Sequence, residues 1–337
     1  MCLYPRLIKN KKYTPTKKNG GVVPPIMDNR VLAVPVGCNK CIECKKQKAR
    51  QWQVRMNEEL RTNTQATFVT LTFSNEEYTK LSKEVTTTGG YEHDNEIATL
   101  AVRRFLERWR KKTTKSVKHW LITEIGGERY EKIHLHGIIW SKDEKEIKEK
   151  WKYGFVYIGE YVNEETIGYI TKYVNKIDQK HKSYNSKILC SPGIGKNYIN
   201  RADSQNNKYQ EGKTKETYTT RTGTKLNLPI YYRNKLYTDE EREKLWLEKL
   251  DKEERYICGE KIKIDKDNTE YYKLLKYYRE KNKRLGYGDN SAQWQKNEYE
   301  EKRRMMLQKK TRGEEIIEIR EEEEEKILIK ISPEDAF

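Results

Sequence analysis

At 337 residues the chain is long enough for two domains, or for one large domain with an appendage. Charged residues make up 36% and apolar residues 35%; no stretch reaches the length of a transmembrane helix and "MCLYPRLIKNKKY" has no apolar secretory core, so a cytoplasmic protein is expected. The 69 Lys and Arg against 52 Asp and Glu leave a net charge of +17, which favours a polyanionic partner, nucleic acid first, and the 24 tyrosines suit base stacking beside phosphate neutralisation.

Residues 1–37 are basic and irregular, with "KKNGGVVPP" as a loop signature. Cys38, Cys41 and Cys44 then form C-x2-C-x2-C, with Cys2 available as a fourth thiolate. In a reducing compartment this spacing points to a metal rather than to disulfides. Structural zinc, a 4Fe–4S cluster and free thiols stay open, with zinc favoured because the C-x3-C-P element of ferredoxin runs is absent. The following segment, from about Lys45 to Leu60, reads as a basic helix able to lie on DNA phosphates.

From Phe68 to Phe73 the sequence alternates, with Val69, Leu71 and Phe73 on one side and Phe68, Thr70 and Thr72 on the other, which predicts a strand. "EIATLAVRRFLERWRKK" places Ala98, Val102, Phe105, Leu106 and Trp109 at helical spacing. "KHWLITEI" and "KIHLHGIIW", separated by "GGERYE", predict a hairpin. A charged helix "KDEKEIKEKW", a strand in "YGFVYIGEYV" and a helix "NEETIGYITKYVNKIDQK" follow. This order predicts an α+β fold: a mainly antiparallel sheet with helices packed on one face. Past residue 180 the pattern weakens. "QNNKYQEGKTKETYTTRTGTK" reads as a polar excursion, Thr238 and Glu241 as a capping box, and the rest, including Glu321–Glu325, as a charged, helical or partly disordered, solvated extension. The expected divisions are 1–60 for the cysteine cluster and basic helix, 61–200 for the core, and 201–337 for the charged C-terminal region.

The chain has five histidines and puts two of them, His134 and His136, one residue apart in an apolar strand. Residues two apart on a strand face the same way, so the two imidazoles can converge on one ion. Neutral, hydrogen-bonded strand histidines are the competing explanation. Glu124, on the preceding hairpin strand, is the expected third ligand and Glu128, in the turn, the fallback. Two histidines and a carboxylate with open positions suit a divalent ion that polarises a phosphate oxygen. Downstream, Tyr169, Lys172, Tyr173 and Lys176 fall on one helical stripe beside the apolar stripe of Ile167, Ile170, Val174 and Ile177. Ammonium groups beside a phenol favour its anion and neutralise charge on a phosphate under attack. "GIGK" at 193–196 lacks the spacing and the following Ser or Thr of a phosphate loop, so no nucleotide hydrolysis is assigned.

Three segments together, "FVTLTF", "HLHGIIW" and "YITKYVNK", resemble the motifs of the HUH endonucleases that start rolling-circle DNA replication. Two tyrosines, with lysine just before the second, look like the initiators of the Microviridae, and "CNKCIECKKQKARQWQVR" and "SPGIGKNYI" look like segments of the gokushovirus type, so the resemblance covers about residues 2 to 235. One departure is Thr123-Glu124-Ile125-Gly126, where the family usually has glycine-glutamate-tyrosine-glycine. The resemblance implies an HUH fold with an RRM-like palm and a metal-dependent nickase and strand transferase using Mg2+ or Mn2+ on His134, His136 and Glu124. It implies Tyr169 and Tyr173 as alternating nucleophiles that form a 5′-phosphotyrosine intermediate, aided by Lys172 and Lys176. The implied partners are a single-stranded DNA origin and a host helicase with its replication machinery, in the cytoplasm of an infected bacterium. A non-catalytic, zinc-dependent nucleic-acid-binding protein and an HUH relaxase or transposase are the alternatives.

Overall fold

A computed structural model describes residues 2–87, 89–126, 132–177, 184–264 and 268–289. The chain divides into two units, one of Met1–Arg6 with Pro35–Trp294 and the other of Leu7–Val34 with Gln295–Phe337. In the second unit, strands β1 (Arg6–Lys9) and β2 (Ala33–Val36) pair, and the Asn10 side-chain amide donates to the Val31 carbonyl at 2.8 Å.

The first unit opens with helix α1 (Ile42–Thr62), followed by β3 (Thr67–Leu71), α2 (Asn75–Ser82), α3 (Gly90–Thr113), β4 (His119–Ile125) and β5 (Ile133–Ile139). Next come α4 (Glu144–Lys150), β6 (Val156–Gly159), α5 (Glu164–Asn175) and β7 (Ile188–Cys190). Five of these strands form one antiparallel sheet in the order β6-β3-β5-β4-β7.

Register sorts the side chains onto two faces. Val69 pairs with Gly137 and Gly137 with Leu121, so Val69, Leu71, Leu121 and Leu135 point one way. Phe68, Thr70, Trp120, Ile122, Glu124, His134, His136 and Ile138 point the other. Ala98, Ala101, Val102 and Phe105 of α3 and Ile147 of α4 pack on the first face. Ala49 and Met56 of α1 and Ile167, Ile170 and Val174 of α5 pack with Trp120, Ile122 and Ile138 of the second.

The α+β class and the antiparallel sheet are as expected, but the helices cover both faces rather than one. The physical reason lies in Trp120-Leu121-Ile122 and Ile138-Ile139: neighbouring apolar residues on a strand point to opposite sides, and each side must be covered. Between the histidines' strand and β4 the backbones come so close that a Cβ on Gly137 would stand 2.1 Å from the Trp120 carbonyl oxygen.

Beyond β7 lie α6 (Ala202–Gln205), the hairpin β8 (Thr217–Thr219) and β9 (Lys225–Asn227), then α7 (Ile230–Leu236) and α8 (Asp239–Asp251). The hairpin β10 (Glu254–Ile257) and β11 (Glu260–Lys263) and helix α9 (Thr269–Arg284) complete the described chain. The capping box of Thr238 and Glu241 starts α8 as expected. The polar excursion is corrected: it contains β8 and β9, and Tyr218 joins Val54, Tyr198, Leu228, Tyr232 and Leu245 in a buried cluster. Tyrosines pack there because their hydroxyls find partners, as Tyr218 does on Glu58 at 2.5 Å and Tyr232 on the Gly195 carbonyl at 2.9 Å. The glutamate run 321–325 lies outside the described residues.

Candidate metal and nucleophile site

Antiparallel pairing sets Glu124 directly opposite His134, while His136 lies between Ile122 and Thr70 on the flanking strands. All the side chains of the group therefore start from the sheet face that α1 and α5 cover. The Nε2 atoms of His134 and His136 converge on one oxygen of Glu124, Oε2, at 3.1 and 2.8 Å. Their rings are nearly perpendicular, 4.7 Å apart. Glu128, the fallback ligand, lies outside the described residues.

The outer nitrogens are also engaged. His134 Nδ1 faces the Lys132 carbonyl at 3.3 Å and His136 Nδ1 faces the Thr70 hydroxyl at 3.0 Å. A carbonyl only accepts, so the Nδ1 of His134 carries a proton there. Its Nε2 then meets a carboxylate with a lone pair unless a second proton or a cation sits between them. One ligand atom from each of Glu124, His134 and His136 lies within 4.8 Å of the others, so the three could hold a metal ion. Two imidazoles and a carboxylate are a suitable donor set for a divalent ion with open coordination positions.

Helix α5 brings the tyrosines. It begins in a reciprocal cap, Asn163 with Thr166, carries Glu164 and Glu165 in its first turn, and buries Ile167, Ile170, Thr171 and Val174. That burial fixes the rotation of the helix, so Tyr169 and Tyr173 emerge at the edge of the apolar stripe. The Tyr173 ring lies parallel to His136, 4.6 Å between centroids and 12° between planes. The Tyr169 and Tyr173 hydroxyls are 2.8 Å apart. Tyr169 remains 50% exposed, so a large substrate can reach this hydroxyl pair from solvent.

Lys176 is ion-paired to the other oxygen of Glu124, Oε1, and its ammonium stands 5.5 Å from the centre of the Tyr173 ring. It is the C-terminal cap of α5, since the helix ends at Asn175 rather than continuing through 180 as the periodicity predicts. Lys172 is exposed and lines, with Tyr169, Tyr173, Lys176, Leu285 and Tyr287, a cavity of about 550 Å³. The four positions of the expected stripe thus open onto one space.

Burial alone would raise the acidity constant of Glu124, but hydrogen bonds from His134, His136 and Lys176 outweigh it and hold the carboxyl well below the usual range. Burial, the hydrogen bond with Tyr169 and the charge on Glu124 all push the Tyr173 phenol upward, so it is neutral in this arrangement. Thr70 and Tyr287 belong to the site but were not singled out from the sequence. Thr70 was legible in principle, because its alternation in "FVTLTF" sets its face; Tyr287, more than a hundred positions from α5, carried no signal. His93 and His119 are structural: the first bonds Ser82 and the Thr87 carbonyl, and the second the Val117 carbonyl and Ser191.

Residues 66–178 match the family model of the replication-associated protein ORF2. This span runs from just before β3 to just past α5, and holds Glu124, both histidines and both tyrosines. No curated protein and no solved structure matches the chain. Among the described residues, no helix is long and apolar enough to cross a membrane.

Proposed function

We propose that this protein initiates rolling-circle replication by cutting and rejoining single-stranded DNA at an origin, with Tyr169 and Tyr173 as nucleophiles. The observation that carries this reading is the pair of tyrosine hydroxyls 2.8 Å apart, one on a ring stacked against His136. The match of residues 66–178 to a replication-associated family supports it.

Mg2+ or Mn2+ bound by His134, His136 and Glu124 supplies Lewis-acid polarisation of the scissile phosphate. The rest of the chemistry falls to the chain. One phenol oxygen bonds to phosphorus as the P–O3′ bond breaks, leaving a 5′-phosphotyrosine and a 3′-oxygen that takes up a proton to become a priming hydroxyl. Lys172 and Lys176 neutralise charge on the phosphate as it is attacked. The second tyrosine then cuts the regenerated origin, and the freed 3′-hydroxyl displaces the first tyrosine from phosphorus to close a circle. Two hydroxyls in contact on one helix let either serve in either step. A lysine just before the second tyrosine suits the Microviridae type, residues 61–200 form the catalytic part, and a host helicase opens the duplex.

Incubation with an origin-containing single strand and Mn2+ tests the reading. A covalent protein–DNA adduct is expected, mapped to Tyr169 or Tyr173 by mass spectrometry and abolished in Tyr169→Phe/Tyr173→Phe. An adduct that survives the double substitution, or none with the unaltered chain, leaves a non-catalytic DNA binder.

A further inference from the structure

Cys2, Cys38, Cys41 and Cys44 come from two ends of a loop and meet with all four sulfurs within 4.8 Å of one another. Cys2 Sγ is 3.9 Å from Cys41 Sγ, and Cys38 Sγ is 4.0 Å from Cys44 Sγ. For zinc bound by four thiolates at about 2.3 Å, the edge of a regular tetrahedron of sulfurs is about 3.8 Å. The sulfurs thus stand at the spacing that one tetrahedral ion requires. A 4Fe–4S cubane binds each thiolate to a different iron on its outside, which splays the sulfurs far wider than a single ion does.

The backbone is arranged for sulfur anions. The amides of Tyr4 and Cys38 donate to Cys2 Sγ at 3.3 and 3.2 Å, and the amide of Cys41 donates to Cys38 Sγ at 3.3 Å. Gly37 leaves the room needed, since a Cβ there would stand 3.1 Å from Cys44 Sγ. Leu3, Tyr4, Ile42, Ile257, Tyr271 and Leu275 surround the thiols with apolar bulk. Such a shell excludes water from a closed, structural metal centre.

We infer that the four cysteines bind one structural zinc ion, which clamps the N-terminal segment to the start of α1 and, through it, to the segment that abuts the tyrosine helix. Cys41 caps α1, and the next amide, that of Ile42, donates to Asn282 Oδ1 at 2.8 Å. Asn282, fully buried, donates to the Tyr287 carbonyl at 3.1 Å, and the Tyr287 hydroxyl donates to the Asn175 carbonyl at 3.0 Å. The zinc centre is thereby joined by consecutive hydrogen bonds to the last turn of α5. This inference rests on the thiols alone and stands whether or not the protein cuts DNA.

Metal analysis of the full chain, expressed with zinc and iron both available, tests it. One zinc per chain is expected, kept in His134→Ala/His136→Ala and lost in Cys38→Ser and Cys41→Ser. Cobalt substituted into the unaltered chain should give the charge-transfer and visible bands of a tetrahedral tetrathiolate, which keeps the test decisive if the serine variants do not fold. Removing zinc should raise amide hydrogen exchange at 282–288. Iron with acid-labile sulfide, or a chain that takes up neither zinc nor cobalt at the thiols, overturns the assignment. Unchanged exchange at 282–288 overturns the clamp.

Discussion

The Thr70 hydroxyl lies 3.0 Å from Nδ1 of His136, on the ring whose Nε2 points at Glu124. It fixes the ring's rotation and leaves Nε2 facing the carboxylate. Partners of this kind are worth about 10- to 100-fold in metal affinity. Thr70→Val, which keeps shape and removes the hydroxyl, should weaken Mn2+ binding by about that factor, measured by calorimetry, with little change in melting temperature.

Tyr169 and Tyr173 share a hydrogen bond but differ in exposure and surroundings, so their single variants should not behave alike. On the proposed function, Tyr169→Phe and Tyr173→Phe each still form a covalent adduct but fail to release closed circles, because joining needs the second hydroxyl. Gel analysis of adduct and circular product separates the steps. A single variant that yields circles at the unaltered rate would refute alternating roles.

Lys45 and Lys48 lie one turn apart on α1, and neither forms an ion pair among the described residues. Partial desolvation lowers both ammonium groups, and for Lys45 the neighbouring charge of Lys48 adds to it. Cations crowded without carboxylates suit phosphates. Lys45→Ala/Lys48→Ala should reduce the slope of log affinity for single-stranded DNA against log salt by about 1.4, about 0.7 for each phosphate left without its ammonium. An unchanged slope would place the strand elsewhere.

His119 is 5% exposed, and burial lowers its pKa, with the Val117 carbonyl opposing in part. Its folded value is depressed below the unfolded value of about 6.5, so the unfolded chain takes up a proton first as pH falls. The stability that neutral His119 contributes is therefore present above about pH 6.5 and is lost as pH falls through the folded value. Denaturant titrations of the unaltered chain at pH 7.5 and 5.5 should show this loss, and His119→Asn should show a smaller difference. The expected size is about 1.4 kcal/mol for each unit separating the two values.

Gly137→Ala should cost about 2 kcal/mol or more, since the new methyl must displace the backbone of β4 rather than a side chain. The melting temperature of the unaltered and substituted chains measures it. Displacement there also shifts Glu124 relative to His134, so Mn2+ affinity should fall with stability.

By itself the sequence determined the elements that carry the site and which residues share a face. Alternation in 68–73 and in 133–139, and helical spacing in α3 and α5, are local properties of backbone geometry, so β3, β5, α3 and α5 were legible, as was the common face of His134 and His136. Only the tertiary structure decided what faces what. Strand pairing put Glu124 rather than another carboxylate against the histidines, and the packing of α5 on Trp120 and Ile138 turned Tyr173 onto His136. The same is true of helices on both faces, of Cys2 closing the thiol group, of the tyrosine-filled core around Tyr232 and of Tyr287 reaching Asn175. Each of these joins residues far apart in the chain through packing that leaves no periodic trace, because sequence pattern records which way a side chain points and not what the fold sets before it.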